Sequence, residues 1–179
     1  MKRYLEWARR EPSTWRLVVT LVLAASIFLA GLPLLIAAAG RWLDRSLGLP
    51  SLTAGTAVRV VAMVLIVAGG VLASWAVLAE ARIGHGTPVP MIPTQRLVVV
   101  PPFTYCRNPM VLGTVLGYLG LSIWLASVSA IVLVLVLAVL LLLYAKVIEE
   151  GELEARFGDE YVQYRRTTPF LIPRLSRRP

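Results

Sequence analysis

Charged side chains are scarce in this chain of 179 residues: Asp and Glu number 10, Lys and Arg 18, and together they make up 16%. A soluble domain carries about 25%. With 58% of residues hydrophobic and a mean hydropathy of +0.74, the composition argues against an ordinary soluble fold. Cysteine is nearly absent. Cys106 has no intrachain partner, which excludes an internal disulfide and a cysteine-based metal site. Histidine occurs once, as His85, and a single imidazole without a nearby pair of acids argues against a metal centre. No internal repeat and no low-complexity tail interrupts the chain.

What is abundant is uncharged length. No residue is charged between Arg16 and Arg41, nor between Arg59 and Glu80, which leaves runs of 24 and 20 residues. About 20 apolar residues span a bilayer, so each run predicts one crossing helix. The first exceeds the 7 to 15 residues of a signal-peptide core, despite Ala37, Ala38 and Ala39 near its end, and is read as a retained span. From Asn108 to Ala145 there are 38 uncharged residues. As one helix they would extend roughly 57 Å against a hydrocarbon core of ~30 Å, so the run must fold back. The corner falls at Leu125–Ser129, where small and hydroxylated residues follow Trp124. The reading is all-α and polytopic: four transmembrane helices, the third from about Pro109 and the fourth ending near Val147, then a cytoplasmic helical segment.

A net charge of +8 would point to nucleic acid in a soluble protein, but here its placement matters more. Fifteen basic residues fall before the first helix, between the second and third, or after the fourth, and only Arg41, Arg45 and Arg59 lie in the first loop. The asymmetry predicts that both termini are cytoplasmic, with no nucleic-acid partner. The first loop, Gly40 to Thr56, reads as a plain connection. Residues 80–109, rich in Pro and Gly, are long for a passive loop and carry most of the polar groups able to build a site.

Tyr105-Cys106-Arg107-Asn108-Pro109-Met110 places Asn at an N-cap and Pro at the first helical position. The free N–H groups of that helix start, with Arg107, suit a carboxylate or phosphate; the residues equally fit Asn108 as a cap alone and Arg107 as a headgroup anchor alone. Beyond the fourth helix stand Glu149, Glu150, Glu152 and Glu154. Carboxylates at a helix C-terminus oppose its dipole, so a role in holding hydroxyls or a cation stands beside a plain solvated helix with Leu153 and Phe157 inward. Further on, Gly158 is placed to end one helix and Asp159 to cap another, with Tyr161 and Tyr164 on one face, for packing or for binding.

The string GTPVPMIPTQRLVVVPPFTYCRNPMVLG, followed one helical hairpin later by EEGELEARFGDEYVQYRRTTPFLIP, resembles the isoprenylcysteine carboxyl methyltransferase family and, more distantly, the phospholipid N-methyltransferases. The resemblance covers roughly residues 80–173. It divides the single membrane domain, residues 1–179, into an N-terminal two-helix part (about 1–79) and a methyltransferase-like core. It implies an integral membrane enzyme that uses S-adenosylmethionine and methylates a lipophilic acceptor, either a prenylcysteine-like carboxylate or a lipid headgroup. It also implies a cofactor-binding set of Arg107, Asn108, Pro109, Gly113, Glu149 and Glu150. His85 and Tyr161 are further candidates for cofactor contact, and Arg107 and Asn108 are the candidates for catalysis.

The chain departs from the family in carrying Asn108 where many members have His, Val111 where many have Tyr, and Pro101 where Gly is common. Asn cannot act as a base, so proximity and alignment would carry the transfer. Cys106 lacks an activating base and reads as an ordinary small residue. The alternative from another class is a non-catalytic four-helix membrane protein that binds a lipid or partner. A small transporter is disfavoured because no apolar stretch contains a charge.

Overall fold

A computed structural model describes residues 13–50, 55–84 and 94–174. The described residues form helices and connecting turns, without strands. Three helices are long and apolar enough to cross a membrane: α1 (Thr14–Ser46), α2 (Thr56–Gly84) and α4 (Val128–Phe157). The helix α3 (Pro109–Trp124) is apolar but has 16 residues, about 24 Å of rise and short of the ~30 Å hydrocarbon core. Among the described residues the four apolar helices are therefore three long enough to span and one shorter. Residues before Asn108 are spent on a loop and Ser127 already starts α4, so α3 has no length to gain. Its shortness costs little, because neighbouring helices cover it and only Trp124 along α3 is exposed. A short helix, α5 (Asp159–Thr167), follows α4.

Each long helix contains one widened π turn: Ile27–Gly31 in α1, Glu80–Gly84 in α2 and Ala145–Glu149 in α4. Such a turn inserts one residue and rotates everything beyond it by about 100°. α4 therefore does not stop near Val147 as its apolar run predicts, but continues through the acidic stretch to Phe157. Gly158, at φ +55°, ends it and itself holds the N-cap position of α5, so Asp159 is the first helical residue and not the cap.

α3 is central. It packs most extensively against α2 and also against α4, while the second half of α1 packs on α4. Small residues make the first of these seams. Ala62, Gly69, Ala73 and Ala76 share the α2 face that meets Gly113, Gly117 and Gly120 of α3, and backbone lies against backbone. A Cβ added at Gly113 would fall 2.6 Å from the Ala73 amide nitrogen and 2.7 Å from the Gly69 carbonyl oxygen; one at Gly120 would fall 2.7 Å from the Ala62 carbonyl. In lipid, where apolar surface gains little by leaving its surroundings, such close packing is what joins helices.

The turn between α3 and α4 lies where the sequence places it, with Ala126 at φ +53° and the Ser127 hydroxyl accepting from the Ala130 amide at 3.1 Å. The first loop is less plain than expected. Its first residues continue α1 to Ser46, and Asp44 accepts hydrogen bonds from the Ser127 hydroxyl at 2.5 Å and the Ser129 amide at 2.9 Å. A carboxylate at the start of α4 satisfies free N–H groups and complements the helix dipole. At mid-depth the Tyr118 hydroxyl donates to the Phe28 carbonyl inside the widened turn of α1. These contacts fix the hairpin, and with it the relative height of the start of α3 and the end of α4.

Candidate functional site

The hairpin brings Arg107, just before α3, to the acidic end of α4. Arg107 and Glu150 form an ion pair through Nη1 and Oε1, with side chains only 9% and 8% exposed. Lys146 reaches the other Glu150 oxygen at 2.9 Å, one turn back along α4. Burying a carboxylate is costly unless it is paired, and here both of its oxygens are. The Arg107 Nη1 also lies 3.4 Å from the Tyr161 hydroxyl.

Asn108 occupies the N-cap position of α3, but its side chain does not cap. Its amide instead donates to the Phe170 carbonyl at 3.0 Å. The Arg107 backbone amide donates to Pro169 at 2.9 Å, and that of Arg174 to Tyr105 at 3.0 Å. Residues 168–174 thus lie as a strap across residues 105–108. The Phe170 ring sits between two cations, 5.4 Å from the Arg107 guanidinium and 5.3 Å from the Lys146 ammonium. From the other side Arg156 donates to the Thr94 carbonyl, tying the polar loop to α4.

These elements line a small, partly open cavity. Arg107 and Asn108 line it from the start of α3; Ala145, Glu149, Glu150 and Leu153 from α4; Tyr161 and Tyr164 from α5. Of the residues singled out in the sequence, Arg107, Asn108, Glu149, Glu150 and Tyr161 meet here. Pro109 is buried at the first position of α3 and Gly113 belongs to the seam with α2; neither lines the cavity. His85 lies outside the described residues.

Both tyrosines are buried. Tyr161 is 1% exposed, and burial followed by the Glu150 charge pushes its hydroxyl pKa up, with Arg107 opposing. Tyr164 donates to the Phe103 carbonyl at 2.7 Å, and burial raises its pKa too. Cys106 is buried, and burial pushes its thiol up, away from the thiolate a nucleophile needs. No cluster of three or more metal-ligating side chains occurs among the described residues.

Two polar atoms at this end of the molecule are buried without a hydrogen-bond partner among the described residues: the Arg107 Nε and the Glu80 Oε2. The sequence reading treated Glu80 only as the charge that ends an apolar run. It begins the widened turn of α2, and Glu149 ends that of α4. Such turns leave no signature in the sequence, and they recur at functional sites.

The phospholipid methyltransferase family matches residues 57–160, more than half of the chain and the part that contains α2, the polar loop, the hairpin and the acidic end of α4. The cobalt-zinc-cadmium resistance protein CzcN of Cupriavidus metallidurans is 38% identical over 80 residues, which is 45% of this chain. The aligned part is 37% of that protein's length. No solved structure matches the chain. The extent of the family match, over the helices that assemble the cavity, identifies the chain as a member of the phospholipid methyltransferase family of membrane proteins.

Proposed function

We propose that the protein transfers a methyl group from S-adenosylmethionine to a lipophilic acceptor that reaches the site through the bilayer. The observation that carries the reading is the cavity between the start of α3 and the far end of α4, where Arg107, Asn108, Glu149, Glu150 and Tyr161 converge. The bound cofactor would supply an activated methyl group on a positive sulfur. The residues present fit it: the buried Arg107 Nε is a donor in want of an acceptor, and the first N–H groups of α3 are not capped by Asn108. Together they suit the methionyl carboxylate. Glu149 suits the ribose hydroxyls or the α-ammonium, while Glu150, paired on both oxygens, holds Arg107 in place. Asn108 orients and does not take a proton, so the chain's contribution is alignment of the reacting groups. Gly113 acts through the seam, letting α3 approach α2, and His85 remains a candidate for cofactor contact.

The polar cavity adjoins helix faces that carry exposed Leu, Val and Ile, such as Leu140 and Leu143 on α4. An apolar tail between helices would gain about 0.8 kcal/mol per buried methylene and present only its reacting head. With labelled cofactor and protein in nanodiscs, methyl groups are expected to appear in a lipid extract in preference to water-soluble analogues, and long-chain acceptors should outcompete short ones with the same head. Methylation of a soluble acceptor alone, indifferent to tail length, would refute entry from the bilayer. Cofactor binding with no transfer to any acceptor would favour the non-catalytic alternative.

The basic asymmetry supports a cytoplasmic side for both termini, the polar loop and this site. A Ser51→Cys protein should therefore react with an impermeant thiol reagent applied outside intact cells, and Ser176→Cys should not. The opposite labelling pattern would invert the orientation.

A further inference from the structure

We propose that Glu80 is a cofactor-binding residue of this site, its carboxyl facing the positive sulfur of S-adenosylmethionine and selecting the charged cofactor over its neutral thioether product. The inference rests on the methyl-donor reading above. Glu80 lies four residues beyond Ala76, on the α2 face that carries Ala62, Gly69 and Ala73 against α3. That register turns the side chain inward, and Oε2 is shut off from solvent without a hydrogen-bond partner among the described residues. Glu149, from α4, stands near enough for the two charges to repel, and Tyr164, from α5, is also within electrostatic range. Both line the cavity. Toward its own helix the surroundings are apolar, since Ala76 and Ala79 cluster with Val98 and Phe103.

A buried carboxylate is favoured by a positive charge beside it, and among the described residues no cation pairs with Glu80. Arg107 and Lys146 both pair with Glu150. No N–H or O–H group among the described residues reaches the buried Glu80 Oε2, and a sulfonium, whose charged atom bears no hydrogen, suits a carboxylate oxygen left in that state. The attraction also ends with the reaction. When the methyl group passes to the acceptor, the carbon–sulfur electron pair stays on sulfur, the positive charge leaves it, and Glu80 no longer holds the product.

The test is calorimetric titration of the full chain in nanodiscs with S-adenosylmethionine and with S-adenosylhomocysteine at the same salt concentration. Wild-type protein is expected to prefer the charged ligand by about tenfold or more, as an opposite charge in a partly buried site allows. Glu80→Gln should bring the two affinities to within about threefold while leaving S-adenosylhomocysteine binding in place, because only the charge has been removed. Glu80→Asp keeps the charge one methylene further back and should retain part of the preference, so the inference stays testable even if Glu80→Gln does not fold. Equal affinities in wild-type protein, or an unchanged ratio in Glu80→Gln, would overturn the inference and leave the proposed function standing. A Glu80→Gln protein that melts like wild type but binds neither ligand would overturn the sulfur assignment, because Glu80 would then hold a part common to both. Wild-type protein that binds neither ligand would overturn the methyl-donor reading itself.

Discussion

Replacing Gly113 with valine is expected to leave little folded protein. A Cβ at this position meets the Ala73 amide nitrogen and the Gly69 carbonyl oxygen within 2.7 Å, and both are backbone atoms of a long helix that cannot turn aside as a side chain can. Overpacking a well-fitted contact costs about 1 to 3 kcal/mol, and a branched side chain forced between two backbones belongs at or above the top of that range. Gly120→Val should behave alike, because Ala62 and Ile66 block it in the same way. Gly70 is the control. It neighbours Gly69 in sequence but has nothing within 4 Å of an added Cβ, so Gly70→Ala should melt at the wild-type temperature or above it. The measurement is the thermal midpoint in detergent together with elution as a single species. Equal melting of Gly113→Val and Gly70→Ala would mean that the α2–α3 seam does not hold the fold.

Arg107→Ala is expected to lower affinity for S-adenosylmethionine more than tenfold, since a charge-assisted hydrogen bond contributes about 1.5 to 3 kcal/mol and 1.4 kcal/mol is a factor of ten. The same variant should lose stability, because it leaves Glu150 buried with only Lys146, which is itself 57% exposed. Breaking a buried pair from one side costs about 3 to 5 kcal/mol. Glu150→Ala should weaken binding comparably by a different route, releasing the guanidinium from its position. Removing both partners should therefore cost less stability than the two single changes added together. Glu154→Ala is the comparison. Its partner Arg165 is at 2.6 Å but both side chains are partly open to solvent, and a surface pair of this kind contributes little. Calorimetry and thermal melts on the four proteins separate these effects. If Arg107→Ala and Glu154→Ala bound the cofactor equally well, the site would lie elsewhere.

Much of this arrangement can be read from the residues themselves, for identifiable reasons. Uncharged runs locate the apolar helices, because a charge inside a bilayer is costly and its absence over twenty residues is conspicuous. The α3–α4 corner announces itself through Ser127 and Ser129 among aliphatic residues. The meeting of Arg107 with the Glu149–Glu150 pair follows from a hairpin that returns to its starting side. Three things were hidden. The widened turns have no compositional mark, yet that in α4 sets which carboxylates face Arg107. The end of an apolar run is not the end of a helix: α4 runs ten residues past Val147 to Phe157, while α3 is a shorter apolar helix. Glu80 looked like a boundary charge. Its inward aim follows from the alternating three- and four-residue spacing of Ala62, Gly69, Ala73 and Ala76, a pattern that was present but had not been extended to the next position.

The order in which the helices pack has a consequence for how the protein is made. Among the described helices α1 leaves the ribosome first, and its main partner is α4, which starts only after 81 further residues. Among the described residues α1 makes no substantial contact with α2, its neighbour in the chain. During synthesis α1 must therefore wait in the membrane alone, solvated by lipid on all sides. Its sequence suits that interval: between Arg16 and Arg41 it carries no charge, and most of its large side chains remain outward even in the finished bundle. Insertion and assembly are thus separate events for this chain. A translation product truncated after α3 should contain inserted helices but no closed bundle, and no site, until α4 and α5 arrive to complete it.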